Sequence, residues 1–146
     1  DFRIDILGDL NNHNWPEQKI KELQIENKVR LLGFQADTQV YLKRADALVL
    51  SSFNEGMPNA ILEAMSYSKP IVASEIDGIK ELLRDSNCGF LFEPGNPRDL
   101  ADKMLEIMEM SPGQRIILGR NGRQKIEDNF SEKVVLEKWQ DVINTI

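Results

Sequence analysis

The chain has 146 residues, 41% of them hydrophobic, and a formal net charge of −6, which allows one domain with one sizeable core. The acidic balance argues against nucleic acid, whose phosphates are bound by clustered Lys and Arg. A single cysteine, Cys88, excludes an internal disulfide and a cysteine-rich zinc site, and a single histidine, His13, argues against a histidine-based metal site.

The residues from Asp1 to Asp5 do not have the basic start and long apolar run of a signal peptide. A first strand is expected over 2–7, followed by a helix from Pro16 through Ile20, Leu23 and Ile25, because proline is tolerated in a first helical turn. A strand over 29–32 and a short helix over 38–44 come next. Strands over 47–51 and 70–74 flank a helix over 58–66 that also opens on a proline. A short helical turn at 79–83 precedes a strand at 89–92. The strands are short and rich in Val, Ile and Leu, as strands buried on both faces are. Three helices close the chain, over 97–110, 112–128 and 131–146. The first has Leu100, Met104, Leu105 and Met108 on one side, and Ser131 is the expected N-cap of the last. Cys88 is expected to pack before a strand, and Trp139 to anchor the last helix. No stretch reaches the ~18 apolar residues of a membrane span.

Alternating strands and helices predict an α/β fold, a Rossmann-like parallel sheet with helices on both faces. Such sheets bind ligands at the carboxyl ends of their strands. Four segments lie there: 8–14, 33–37, 51–59 and 74–78. The third is the most informative. A strand ends at Ser51, a loop carries Glu55 and Gly56, and Pro58 opens a helix. Free N–H groups at a helix start form an anion site. The side chains of Asn59, Ala60 and Ile61 are modest enough to let a phosphate approach the backbone. Glu55 and Glu63 bracket this site. Carboxylates repel phosphate but accept hydrogen bonds from sugar hydroxyls, so the pattern matches a sugar nucleotide. Spacing alone leaves open that Glu63 is a solvated helix residue and Glu55 a loop charge.

The run Glu55-Gly56-Met57-Pro58-Asn59-Ala60-Ile61-Leu62-Glu63-Ala64-Met65 resembles the signature of the family 4 retaining glycosyltransferases. Leu32-Gly33-Phe34 and Ala45 to Ser52 precede it in that family's order. Lys69 to Ser74, Gly78 to Glu81 and Cys88 to Asn96 follow it. The resemblance implies the C-terminal, donor-binding domain of a GT-B enzyme across residues 1–146, a piece of a longer two-domain protein. It implies that Glu55 contacts the transferred sugar and acts as the catalytic residue, and that Glu63 holds the ribose hydroxyls. The backbone of Gly56, Met57, Pro58, Asn59, Ala60 and Ile61 would face the diphosphate and sugar. Gly33, Phe34 and Gln35 would lie along the base, and Gly8 would open a loop near the donor. That loop reads Gly8-Asp9-Leu10-Asn11-Asn12 and departs from the family by lacking a second glycine.

The implied activity is transfer of a hexose from a nucleotide-diphosphate sugar to a hydroxyl acceptor, with retention, in cell-surface polysaccharide or glycoconjugate synthesis. No cofactor or metal ion is expected, since no Asp-x-Asp motif is present. Family members place an Arg and a Lys, about five residues apart, before the point matching Asp1, to neutralise the diphosphate. On that reading the 146 residues alone are expected to be inactive and to bind nucleotide weakly. The other partner would be an N-terminal acceptor-binding domain. Nucleic acid and a transmembrane segment are not expected, and any peripheral membrane contact would be made by that other half. The expected location is cytoplasmic, at the inner face of the membrane. Two alternatives stay open: a non-catalytic nucleotide-sugar-binding module, and a nucleotide-sugar epimerase of similar architecture.

Overall fold

All five expected strands form, and all pair in parallel, in a computed structural model that describes residues 2–9 and 13–145. The chain divides into two units, residues 1–38 and residues 39–146.

In the first unit, β1 (Ile4–Leu7) pairs with β2 (Val29–Gly33), and α1 (Trp15–Glu22) connects them. The α1 helix stops short of the expected Ile25 because Gln24 turns to φ 55, a left-handed conformation that ends a helix. Asp5 and Arg30 are register partners across the ladder. Arg30 grips Asp5 with two bonds, Nε to Oδ1 at 2.8 Å and Nη2 to Oδ2 at 2.6 Å. That hydrogen-bonded guanidinium holds the Asp5 carboxyl below its ordinary value of 3.8, against partial burial. A lowered folded pKa gives stability that is complete above the ordinary value and lost as pH falls through the lowered one. Asp5→Asn is therefore expected to lower melting temperature at neutral pH by the small effect of an exposed pair, ~0.2–1 kcal/mol. The gap between mutant and wild type should close once acid has protonated Asp5. A gap that persisted unchanged to about pH 2 would show that the pair acts by packing rather than charge.

In the second unit, α2 (Gln39–Arg44) leads into β3 (Leu48–Leu50), α3 (Asn59–Ser66), β4 (Ile71–Ser74), α4 (Asp77–Leu83) and β5 (Gly89–Phe92). Three helices follow: α5 (Pro97–Glu109), α6 (Pro112–Phe130) and α7 (Glu132–Asn144). The strand order is β3-β4-β5. Among the described residues the ladders thus form two sheets, β1-β2 and β3-β4-β5, in place of one five-stranded sheet. An apolar run specifies that a segment is a strand but not which strand it pairs with.

Alternation along β4 sends its side chains to two cores. Ile71 and Ala73 join Ile61, Ala64 and Met65 of α3, with Ile79, Leu82 and Leu83 of α4. Val72 faces the other way, packing with Phe92, Ile107, Leu100 and Met104. Helices therefore cover both faces of this sheet. The buried stripe of α5 is Leu100, Met104 and Ile107; Leu105 and Met108, expected with it, are exposed. Only the line at i, i+4 and i+7 meets the sheet residues Val72, Phe90 and Phe92, and the flanking positions of the apolar side turn to water. Cys88 is buried just before β5, and burial pushes its thiol pKa up. Trp139 is exposed, as are Val135, Leu136, Val142 and Ile143 of the same helix, so its expected anchoring role is not seen. Ser131 stands at the N-cap of α7 without a side-chain capping bond. The full capping box falls instead on Ser111 and Gln114 at the start of α6. Among the described residues no helix is long and apolar enough to cross a membrane.

Candidate functional site

In the first unit, β1 and β2 end side by side. The Gly8 amide donates to the Gly33 carbonyl at 2.9 Å. Both glycines have positive φ, 137° and 66°, where a Cβ is strained. Gly8 and Gly33, read separately from the sequence, are thus one strand-end corner. Phe34 projects beyond it, exposed, while the Gln35 amide folds back to donate to the Leu32 carbonyl at 2.7 Å. Leu10, Asn11 and Asn12 of the loop after Gly8 lie outside the described residues.

In the second unit, β3 gives way to the loop that carries Glu55 and Gly56. Pro58 is extended (φ −73°, ψ 112°) and starts α3 one residue later than expected. The helix is two-sided. Ile61, Ala64 and Met65 are buried, while Asn59, Ala60 and Glu63 face outward. Glu63 stands one turn beyond Asn59, on the same face.

The amides of this helix start are not equivalent. Pro58 has no N–H, and the Ile61 amide already donates to the Pro58 carbonyl at 3.0 Å. Two of the positions expected to supply donors are therefore spent. Asn59 and Ala60, the first helical residues, have amides with no protein acceptor among the described residues, as the first turn of any uncapped helix does. The open start of α3 is thus a pair of donors lying in sequence between two carboxylates.

Glu55 is half-buried and accepts a hydrogen bond from Ser52 Oγ at 2.8 Å. Beside its loop comes the turn from β4 into α4. Together they line an open depression of about 380 Å³, formed by Phe53, Asn54, Glu55, Glu75, Ile76, Asp77 and Gly78. Lys80 reaches back to Glu75 at 3.9 Å and Asp77 at 3.8 Å. The sequence marks 74–78 as a strand-end segment without singling out a role for any of its residues. Nor does it single out Ser52. The available signal was the carboxyl-end rule itself, which applies to β4 as it does to β3. Among the described residues no group of three His, Cys, Asp or Glu is placed to hold a metal ion.

The family model described as glycosyl transferases group 1 matches residues 1–125. An uncharacterized glycosyltransferase of Methanocaldococcus jannaschii is 32% identical over 143 residues, 94% of this chain and 38% of that protein. The poly(ribitol-phosphate) alpha-N-acetylglucosaminyltransferase of Staphylococcus aureus is 30% identical, over 98% of this chain and 29% of that protein. Among solved structures, Anabaena HepE in complex with UDP and glucose superposes with a TM-score of 0.85 at 25% identity, covering 99% of this chain and 41% of that one. The chain thus spans well under half the length of the relatives it matches.

Proposed function

The chain belongs to the glycosyl transferases group 1 family, and from that membership we propose that it is the donor-binding domain of an enzyme that moves a hexose from a nucleotide-diphosphate sugar to a hydroxyl. The observation that carries this reading is the start of α3, where the amides of Asn59 and Ala60 lie between Glu55 and Glu63. Two N–H donors at a helix start suit a phosphate. The flanking carboxylates suit hydroxyls, Glu63 those of a ribose and Glu55 those of the hexose. The likeness to a HepE structure holding UDP and glucose supports the same ligand class. Gly8 and Gly33 to Gln35 take the base side in this reading.

Transfer proceeds with retention. The nucleotide departs and the acceptor hydroxyl attacks the same face, giving its proton to the leaving phosphate. The pathway is polysaccharide or glycoconjugate synthesis on the cytoplasmic side, and the acceptor is held by a second domain. Charge on the leaving diphosphate is met by protein donors and cations rather than a metal ion. EDTA is therefore expected to leave transfer by the complete protein unchanged, measured as radiolabelled sugar moved to acceptor. Loss of activity in EDTA with recovery on adding a divalent ion would overturn the metal-independent mechanism. Analysis of products tests the activity itself, and anomeric NMR tests the stereochemistry. Transfer with the donor's anomeric configuration supports the proposal; an isomerised free donor, or binding without chemistry, contradicts it.

A further inference from the structure

We propose that Ser52 and Gly78 are positioning residues for Glu55, the first holding its carboxylate and the second its backbone. The inference rests on the reading of Glu55 as the residue facing the transferred sugar. Glu55 sits in a loop, where a side chain has several rotamers and a backbone several paths. Two contacts narrow both. Ser52 Oγ donates to Glu55 Oε1 at 2.8 Å, which occupies one lone pair of one oxygen and leaves Oε2 to a ligand. From the other side, α4 comes up against the loop backbone at Gly78. A Cβ on Gly78 would overlap the carbonyl oxygens of both Glu55 and Gly56. Those are backbone atoms, so no side-chain rotation relieves the overlap.

The two sides of that contact differ in strength. Ile79, Leu82 and Leu83 bury α4 in the core, whereas Gly56 and Met57 of the loop are exposed. A side chain at Gly78 therefore moves the loop rather than the helix, and Glu55 moves with it. Gly78 and Glu55 also line the same depression, so the displacement falls where a ligand would sit. Misplacing a catalytic group by about 1 Å costs on the order of a hundredfold in rate.

Three measurements decide the matter. In the 146-residue chain, Gly78→Ala is expected to shift the amide NMR signals of Glu55 and Gly56 and leave those of α6 in place. In the complete protein, Gly78→Ala and Ser52→Ala are each expected to lower kcat about ten- to a hundredfold per folded molecule, with donor Kd changed less than about threefold. Ser52→Thr, which keeps the hydroxyl, should restore most of the rate. Gly113→Ala is the control: a Cβ there meets only Ser111 Oγ, at 4.0 Å, and activity should be unchanged. A purely structural role predicts a lower melting temperature with normal kcat per folded molecule, and that result would overturn the proposal. So would unshifted Glu55 and Gly56 signals, or failure of Ser52→Thr to rescue. If Gly78→Ala did not fold, the two Ser52 variants alone would decide. A wild-type protein that showed no sugar transfer would instead remove the functional reading, and the NMR signals would still report whether Gly78 sets the loop.

Discussion

Glu55→Gln is expected to lower turnover of the complete protein about a hundredfold while leaving donor affinity nearly intact. Positive charge develops on the sugar ring as its bond to phosphate breaks. A carboxylate beside the ring gains strength at that moment and is worth little before it, which is the condition for an effect on kcat rather than on binding. Removing one such group from a preorganised site costs on the order of 10²–10³ in kcat. Glutamine keeps the volume and an amide oxygen, which still accepts from Ser52 Oγ, so the loop and melting temperature should survive. Glu63 separates from this pattern. In the proposed function it grips ribose hydroxyls equally in ground and transition states, so Glu63→Ala is expected mainly to raise donor Kd. The loss of a charged acceptor costs about 1.5–3 kcal/mol, or roughly ten- to 150-fold in affinity. Turnover, donor affinity and melting temperature of both variants separate the roles. If Glu55→Gln turned over like wild type, the assignment of Glu55 to the reacting sugar would be lost, and Glu63 would stand alone as a nucleotide contact.

The second large effect is on stability. Gly119 is buried in α6, and a Cβ there would overlap the Ser68 carbonyl in the turn after α3. One turn on, a Cβ at Gly122 would lie 3.2 Å from both Cys88 Cβ and Met65 Cγ. Gly119 lets α6 lie directly on the backbone after α3, and Gly122 lets it sit close against the Cys88 and Met65 side chains. The contact is then tied by Arg123, which donates to the Ser66 carbonyl at 2.6 Å, and by Asn121, which donates to that of Asn87 at 3.0 Å. Gly119→Ala would gain helix propensity of up to about 1 kcal/mol but must push α6 off the core. Overpacking of this kind costs about 1–3 kcal/mol, and a backbone obstacle places it at the upper end. The melting temperature should fall by several degrees, at roughly 2–4 °C per kcal/mol. Gly119→Val, larger and poorer in a helix, should leave little folded protein. An unchanged melting temperature for Gly119→Ala would show that α6 does not need this approach.

Much of the molecule could be read without coordinates. Apolar runs marked β1 through β5, because a strand buried on both faces has few alternatives in composition. Prolines at 16, 58, 97 and 112 marked helix starts correctly to within one residue or so. The family signature from Glu55 to Glu63 pointed to the loop and helix that the structure places at the end of β3. Some departures are local, such as the early end of α1 at Gln24 and the missing side-chain cap at Ser131; others depend on a partner. Leu105 and Met108 were grouped with the buried stripe of α5, and Trp139 was expected to anchor α7, although each faces solvent. Amphipathic spacing says that a face is apolar; what covers the face is decided elsewhere in the chain.

Strand positions and most helix starts therefore follow from the sequence by itself. They rest on periodicity, capping and residue type, which act over a few neighbours. Tertiary structure decided the rest: which strands share a ladder, and that Gly78 and Gly119 face backbone. Each of those depends on segments far apart in the chain meeting at van der Waals distance. A glycine in a sequence is the same letter whether a carbonyl lies against it or open water, and only the folded backbone distinguishes the two.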